Sequence, residues 1–226
     1  MFKKIIDSKL PQIFAIIAIS IYAASFIIKI SGIQNFSLFQ EYTSLKFTFL
    51  YIIQLLVMLT PLLIYKINAP ISEILKTNKV SIGKSFLTII SAYIIYIILM
   101  IIVKALNLDF IGMGEQQDYL KFFGTDKFSV VISVISVVLV GPIAEEILFR
   151  GYLTYRAEKF FSQNTSNIII SAIFASFHLQ LNVIISLFIL SLVIGNIRNH
   201  TNSIYPAIGF HIMNNAIALF AQYSIY

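Results

Sequence analysis

The chain has 226 residues, of which 58% are hydrophobic and only 12% charged, with a net charge of +6 and a mean hydropathy of +0.88. A soluble domain of this length carries roughly twice that charge fraction, so the composition excludes an ordinary soluble protein and marks a membrane one. There is no cysteine, which rules out a disulfide framework, a thiol nucleophile and a cysteine metal site; any catalyst has to be built from Glu, His, Asn, Ser or Tyr.

Along the chain, Ile-rich apolar runs of about twenty residues recur, the length a helix needs to cross ~30 Å of hydrocarbon. The expected fold is all-α, a polytopic transmembrane helix bundle forming one integral membrane domain over 1–226. Spans are expected near 11–30, 47–65, 86–103, 128–155, 168–180, 182–197 and 204–224. That makes about seven, bracketed by six and eight, because the fifth and sixth runs are short and meet at "HLQLN". The first run follows "MFKKIIDSKL" and continues through "SFIIKI" without a convincing cleavage site, so it reads as a retained span. The segment from Lys104 to Lys127 carries Asp109, Glu115, Asp118 and Asp126 and reads as an external loop, with a short interfacial helix near Gln116 to Phe123. With the N-terminus cytoplasmic, 11 of the 16 Lys and Arg residues lie inside, among them Lys76, Arg150, Arg156, Lys159 and Arg198. The positive-inside rule therefore predicts a multi-pass protein of the cell membrane with its N-terminus cytoplasmic and its C-terminus external. The basic residues sit between apolar runs without a basic domain, which fits lipid headgroups and no nucleic acid. Tyr65, Tyr152, Tyr155, Tyr205 and Tyr223 fall near span ends, where they supply the interfacial belt of a chain without Trp.

An ionisable side chain in hydrocarbon costs ~3 kcal/mol or more and normally faces a partner or a water-filled cavity. Three expected spans carry such groups: Glu145, Glu146 and Arg150 in the fourth, His178 in the fifth, and His211 with Asn214 and Asn215 in the seventh. Counted from the inferred cytoplasmic ends, Glu145, His178 and His211 all lie roughly 12 to 15 Å deep at a rise of 1.5 Å per residue. Three helices thus bring a carboxylate and two imidazoles to one level. Glu146 and Arg150 are four apart and predict an ion pair on one helix face, with Glu145 turned about 100° away from it. His211 and Asn215 are also four apart, so an imidazole and an amide point the same way and together suit a single oxygen. Pro142 removes the backbone bond to the Val138 carbonyl, which predicts a kink after Gly141 and room for water. Ser171, Ala172, Ala175 and Ser176 form two small-xxx-small pairs that let a neighbouring helix approach His178. Either histidine alone is equally well explained by tying helices together. The whole set at one depth points to chemistry, because burying this many ionisable groups is a costly way to hold a bundle.

The segments "EEILFR" (145–150), "FASFH" (174–178) and "HIMNN" (211–215) resemble the EExxxR, FxxxH and HxxxN motifs of the CPBP family, the CAAX proteases and bacteriocin-processing (Abi) enzymes of the membrane. They occur in the family's order, and the resemblance covers a catalytic core over 128–226. It implies hydrolysis of a peptide bond in a membrane-associated peptide or protein precursor. Glu145 and His178 would activate a water while His211 and Asn215 stabilise the tetrahedral oxyanion, with Glu146 and Arg150 completing the motif. Alternatively, Glu145, His178 and His211 would hold a Zn²⁺ with water in its fourth position, as in catalytic zinc sites. Two non-enzymatic readings stand beside these: a bacteriocin-immunity or scaffold protein that retains the motifs, and a proton-coupled transporter, which predicts inverted repeats that the sequence does not show.

Overall fold

The structure, a computed structural model, describes residues 2–31, 43–60, 69–106, 123–178 and 183–224. It is built of helices: α1 (Phe2–Asp7), α2 (Leu10–Ser31), α3 (Thr43–Met58), α4 (Ile71–Leu75), α5 (Ile82–Ala105), α6 (Lys127–Glu158), α7 (Gln163–Phe177), α8 (Ile184–Thr201) and α9 (Ile204–Tyr223). No strand occurs among the described residues beyond the isolated bridge between Thr77 and Ser203.

Among the described residues four helices, α5, α6, α8 and α9, are long and apolar enough to cross a membrane, so the protein is multi-pass and its described fold is all-helical. The first two expected spans fall on α2 and α3, whose described apolar stretches are Leu10–Ser20 and Ser44–Val57. The fifth expected span differs. It is a helix of 15 residues, roughly 22 Å at the helical rise and short of the ~30 Å of hydrocarbon. The expected turn at "HLQLN" beyond His178, the interfacial helix before Phe123 and the belt residue Tyr65 lie outside the described residues.

Local chemistry sets the helix ends. Asp126 caps α6 by accepting from the Ser129 backbone N–H at 3.1 Å and from its hydroxyl. The Ser129 hydroxyl, then its N–H, hold the Asp126 carboxyl below the usual carboxylate range. Ser81 caps α5 and Ser162 caps α7 in the same way, each accepting from the N–H three residues on.

The described chain divides into two compact units. The first comprises Met1–Pro11, Asn68–Gln116 and Glu146–His211; the second comprises Gln12–Ile67, Gln117–Glu145 and Ile212–Tyr226. The boundaries fall between Glu145 and Glu146 in α6 and between His211 and Ile212 in α9.

In the first unit, α7 and α8 pack on one another around a polar lock. Asn167 donates to the Leu192 carbonyl at 3.1 Å and to Asn196 Oδ1 at 3.2 Å, and accepts from Ser171 at 3.3 Å. Gly195 makes this close approach feasible, because a Cβ there would overlap the Asn167 amide. Of the two expected small-residue pairs only Ser171 and Ala175 are buried; Ala172 and Ser176 are exposed. The end of this unit is polar. Ser203 donates to the Asn78 carbonyl at 2.8 Å, Asn78 donates to the Asn202 carbonyl at 2.9 Å, Tyr155 donates to Glu73 at 3.0 Å, and Arg198 and Lys76 share the Glu158 carboxylate. Tyr152, expected in the interfacial belt, is instead buried with Leu153 and Phe149. In the second unit, Tyr223 donates to the Gly124 carbonyl at 2.9 Å and lies 3.2 Å from the Ser133 hydroxyl, joining the start of α6 to the end of α9.

Candidate active site

Helix α6 departs from the α register twice, through π-helical turns at Val134–Val140 and Ile147–Leu153, on either side of the two glutamates. Such wide turns are uncommon and cluster at functional sites. At the first turn the Gly141 N–H donates to the Ser136 carbonyl five residues back. In that register the next carbonyl, Val137, faces Pro142, which has no N–H to give. Asn215 supplies the missing donor: its Nδ2 lies 3.0 Å from the Val137 oxygen. The register shift thus moves the carbonyl released by Pro142 from the expected Val138 to Val137. It also gives one N–H of the Asn215 amide a structural task that the sequence does not reveal. Gly141 is needed at this turn because a Cβ would collide with the Tyr51 hydroxyl. At the second turn Thr154 donates its hydroxyl to the Phe149 carbonyl at 2.6 Å, satisfying an acceptor in the widened register.

The first unit holds the ionic centre. Glu146 and Arg150 are buried, at 0% and 1% exposure, and Glu146 Oε2 lies 3.4 Å from Arg150 Nε, the expected pair four residues apart. The other carboxylate oxygen, Oε1, lies 2.9 Å from Nδ1 of His211, itself 3% exposed. The carboxylate partner of His211 is therefore Glu146. The NH2 group of Arg150 donates to both the carbonyl and the hydroxyl of Ser191 at 2.8 Å. Ser191 belongs to no motif, and its only sequence signal is a hydroxyl in the otherwise apolar "ILSLVIG" of α8.

His178 caps the C-terminus of α7. Its backbone N–H donates to the Ala175 carbonyl at 3.3 Å and its Nδ1 lies 2.9 Å from the Phe174 carbonyl. A carbonyl and a carboxylate only accept, so Nδ1 carries a hydrogen in both imidazoles. Both rings also pack on Phe174, with centroids 4.7 Å away for His178 and 6.0 Å for His211. Both imidazoles of the first unit therefore lie against one aromatic ring. Glu145 is half-buried and, with Asn214 and Asn215, belongs to the second unit. His200 is exposed in the last turn of α8.

Residues 127–217 match the Rce1-like family of type II CAAX prenyl endopeptidases. The matched segment contains EEILFR, FASFH and HIMNN, so the resemblance drawn from the motifs is borne out. At the level of the family, the Rce1-like match supports a CAAX-type protease of the membrane. No curated protein and no solved structure matches the chain. As for a metal, no group of three or more His, Asp or Glu side chains that could hold an ion is found among the described residues.

Proposed function

We propose that the protein is an intramembrane endopeptidase that hydrolyses a peptide bond of a membrane-associated peptide or protein precursor, using a water activated by Glu145 and His178. The supporting observation is the pair of imidazoles, each anchored through Nδ1, in a segment that matches a CAAX endopeptidase family. Water gives a proton to the Glu145 carboxylate, with His178 Nε2 accepting from the same water and orienting it. The oxygen adds to the scissile carbonyl carbon, the tetrahedral oxyanion is stabilised by Asn215 and by an Nε2–H of His211, whose ring then carries a hydrogen on each nitrogen, and the C–N bond breaks as the proton passes from Glu145 to the leaving nitrogen. Glu146 acts one step back. It fixes the direction of His211, while Arg150 balances its charge and Ser191 holds Arg150 in place.

The amide of Asn215 has two N–H groups, so capping Val137 with one leaves the second for the oxyanion. The substrate enters from the lipid phase, and prenylated CAAX peptides and bacteriocin or signal-peptide precursors are the two classes to try. The test is cleavage by protein purified into lipid nanodiscs, assayed against quenched-fluorescent peptides of both classes with and without exhaustive chelation. Cleavage that survives chelation and disappears in Glu145→Gln and His178→Gln supports the metal-free route. Cleavage abolished by chelation and restored by zinc supports the zinc alternative. No cleavage of any peptide, with a fully folded protein, favours the immunity or scaffold reading, for which the closed Glu146, Arg150 and His211 set would serve as helix glue.

A further inference from the structure

Phe174 is fully buried, at 0% exposure, and four functional side chains or their supports lie against its ring. The His178 ring is tilted 47° at 4.7 Å and the His211 ring meets it near edge-on at 6.0 Å. The Arg150 guanidinium carbon is 4.9 Å from the ring centroid, and Phe149 packs edge-on at 5.0 Å. The backbone of the same residue is used too, since its carbonyl accepts from His178 Nδ1 at 2.9 Å. Three helices contribute these groups, and all of them belong to the first unit.

We propose that Phe174 is a positioning residue of the site, one aromatic ring that sets the orientation of both imidazoles and seats the Arg150 guanidinium that fixes Glu146. This rests on the reading of His178 and His211 as the working imidazoles. The physical grounds are geometric and electrostatic. An aromatic ring prefers tilted and edge-on neighbours at these separations, and its electron-rich face attracts a guanidinium, most strongly where water is absent. A leucine of similar volume fills the space yet imposes neither preference. The Phe174 ring therefore couples the imidazole that handles the water to the one that faces the oxyanion, although the two have no hydrogen bond in common.

Two arms test this separately from the function. The first uses histidine-selective NMR on isotope-labelled protein in nanodiscs, comparing wild type with Phe174→Leu. Ring-current shifts should change for two histidines and stay fixed for the third, His200, which is exposed and distant from Phe174 in sequence. Movement of only one buried histidine, or of none, overturns the proposal. The second arm replaces Phe174 with para-fluoro- and pentafluorophenylalanine, which keep the ring and drain its face. With a cleaved peptide in hand, kcat should fall stepwise with fluorination, and about 10- to 100-fold in Phe174→Leu, with KM within about 2-fold, as expected for misplaced catalytic groups. An unchanged kcat in the fluorinated series and in Phe174→Leu overturns it as well. If Phe174→Leu fails to fold, the fluorinated proteins carry both arms. If wild type cleaves nothing, the proposed function fails while the NMR arm still decides whether Phe174 orients the rings.

Discussion

At the scale of single residues, adjacent carboxylates have different duties because their surroundings differ. Glu146 is wholly buried between Arg150 and His211. Removing its charge leaves the Arg150 guanidinium uncompensated, so Glu146→Gln should cost about 3–5 kcal/mol of stability. The double variant Glu146→Leu/Arg150→Met should recover most of that loss, since apolar residues of similar volume replace buried ion pairs at little cost. It should remain inactive, because His211 loses the acceptor that orients it. Thermal melting and cleavage on the same samples check both points; a double variant that is active would remove Glu146 from the mechanism. Glu145→Gln should abolish turnover. Equal cleavage by Glu145→Gln and wild type would sink the assignment of the reacting carboxylate.

At the scale of elements, the π-turns of α6 have consequences that a regular helix lacks. Asn215→Ala leaves the Val137 carbonyl without its donor and should cost about 1–3 kcal/mol. Pro142→Ala supplies a backbone N–H in the register where Val137 needs one, so the double variant should regain much of that stability without regaining activity. Recovery of neither, or of both together, would mean that Asn215 is not the cap. The lock between α7 and α8 gives a second prediction. A methyl group at Gly195 meets the Asn167 amide, which is held by three hydrogen bonds, so it has no easy way to withdraw. Gly195→Ala should cost about 1–3 kcal/mol, and Gly195→Ala/Asn167→Ala should melt higher than Gly195→Ala alone.

At the scale of the molecule, the polar end of the first unit collects charges that the positive-inside rule places in the cytoplasm. Lys76, Arg156, Lys159 and Arg198 are among them, and Arg156 donates to the Ser8 carbonyl at 3.3 Å, tying the N-terminal segment to the same end. A cytoplasmic N-terminus is therefore our expectation. Fusions of green fluorescent protein and alkaline phosphatase to residue 9 and to the loop near Lys79 should both report the cytoplasmic side; phosphatase activity at either site overturns it. Lys76 gives a pH-dependent prediction. Burial, reinforced by repulsion from Arg198, holds its ammonium pKa below the ordinary value, against the attraction of Glu158. The folded state thus binds fewer protons than the unfolded one over the alkaline range below 10.5. Stability contributed at Lys76 rises with pH across that window, and the penalty is full below it. Lys76→Met should accordingly raise the melting temperature at neutral pH, with the gain shrinking as pH approaches 10.5.

Membrane class and helical fold were legible in the sequence because they depend on local quantities. Apolar run length decides what can cross hydrocarbon, and the spacing of four between Glu146 and Arg150 decides their pairing within one helix. The family motifs were legible for the same reason, as residues at fixed short separations. The partner of His211 was not, since adjacent glutamates on one helix point in different directions, and only the packing of α9 selects which of them the imidazole meets. The π-turns, the transfer of the freed carbonyl to Val137 and its capping by Asn215 also escaped it, because hydrogen-bond register is a collective property of helix and neighbour. Ser191, Gly195 and the ring of Phe174 gain their tasks only from side chains 41, 28 and 37 positions away, at Arg150, Asn167 and His211. The sequence alone thus set which groups are paid for in the bilayer, and tertiary packing decided which of them touch.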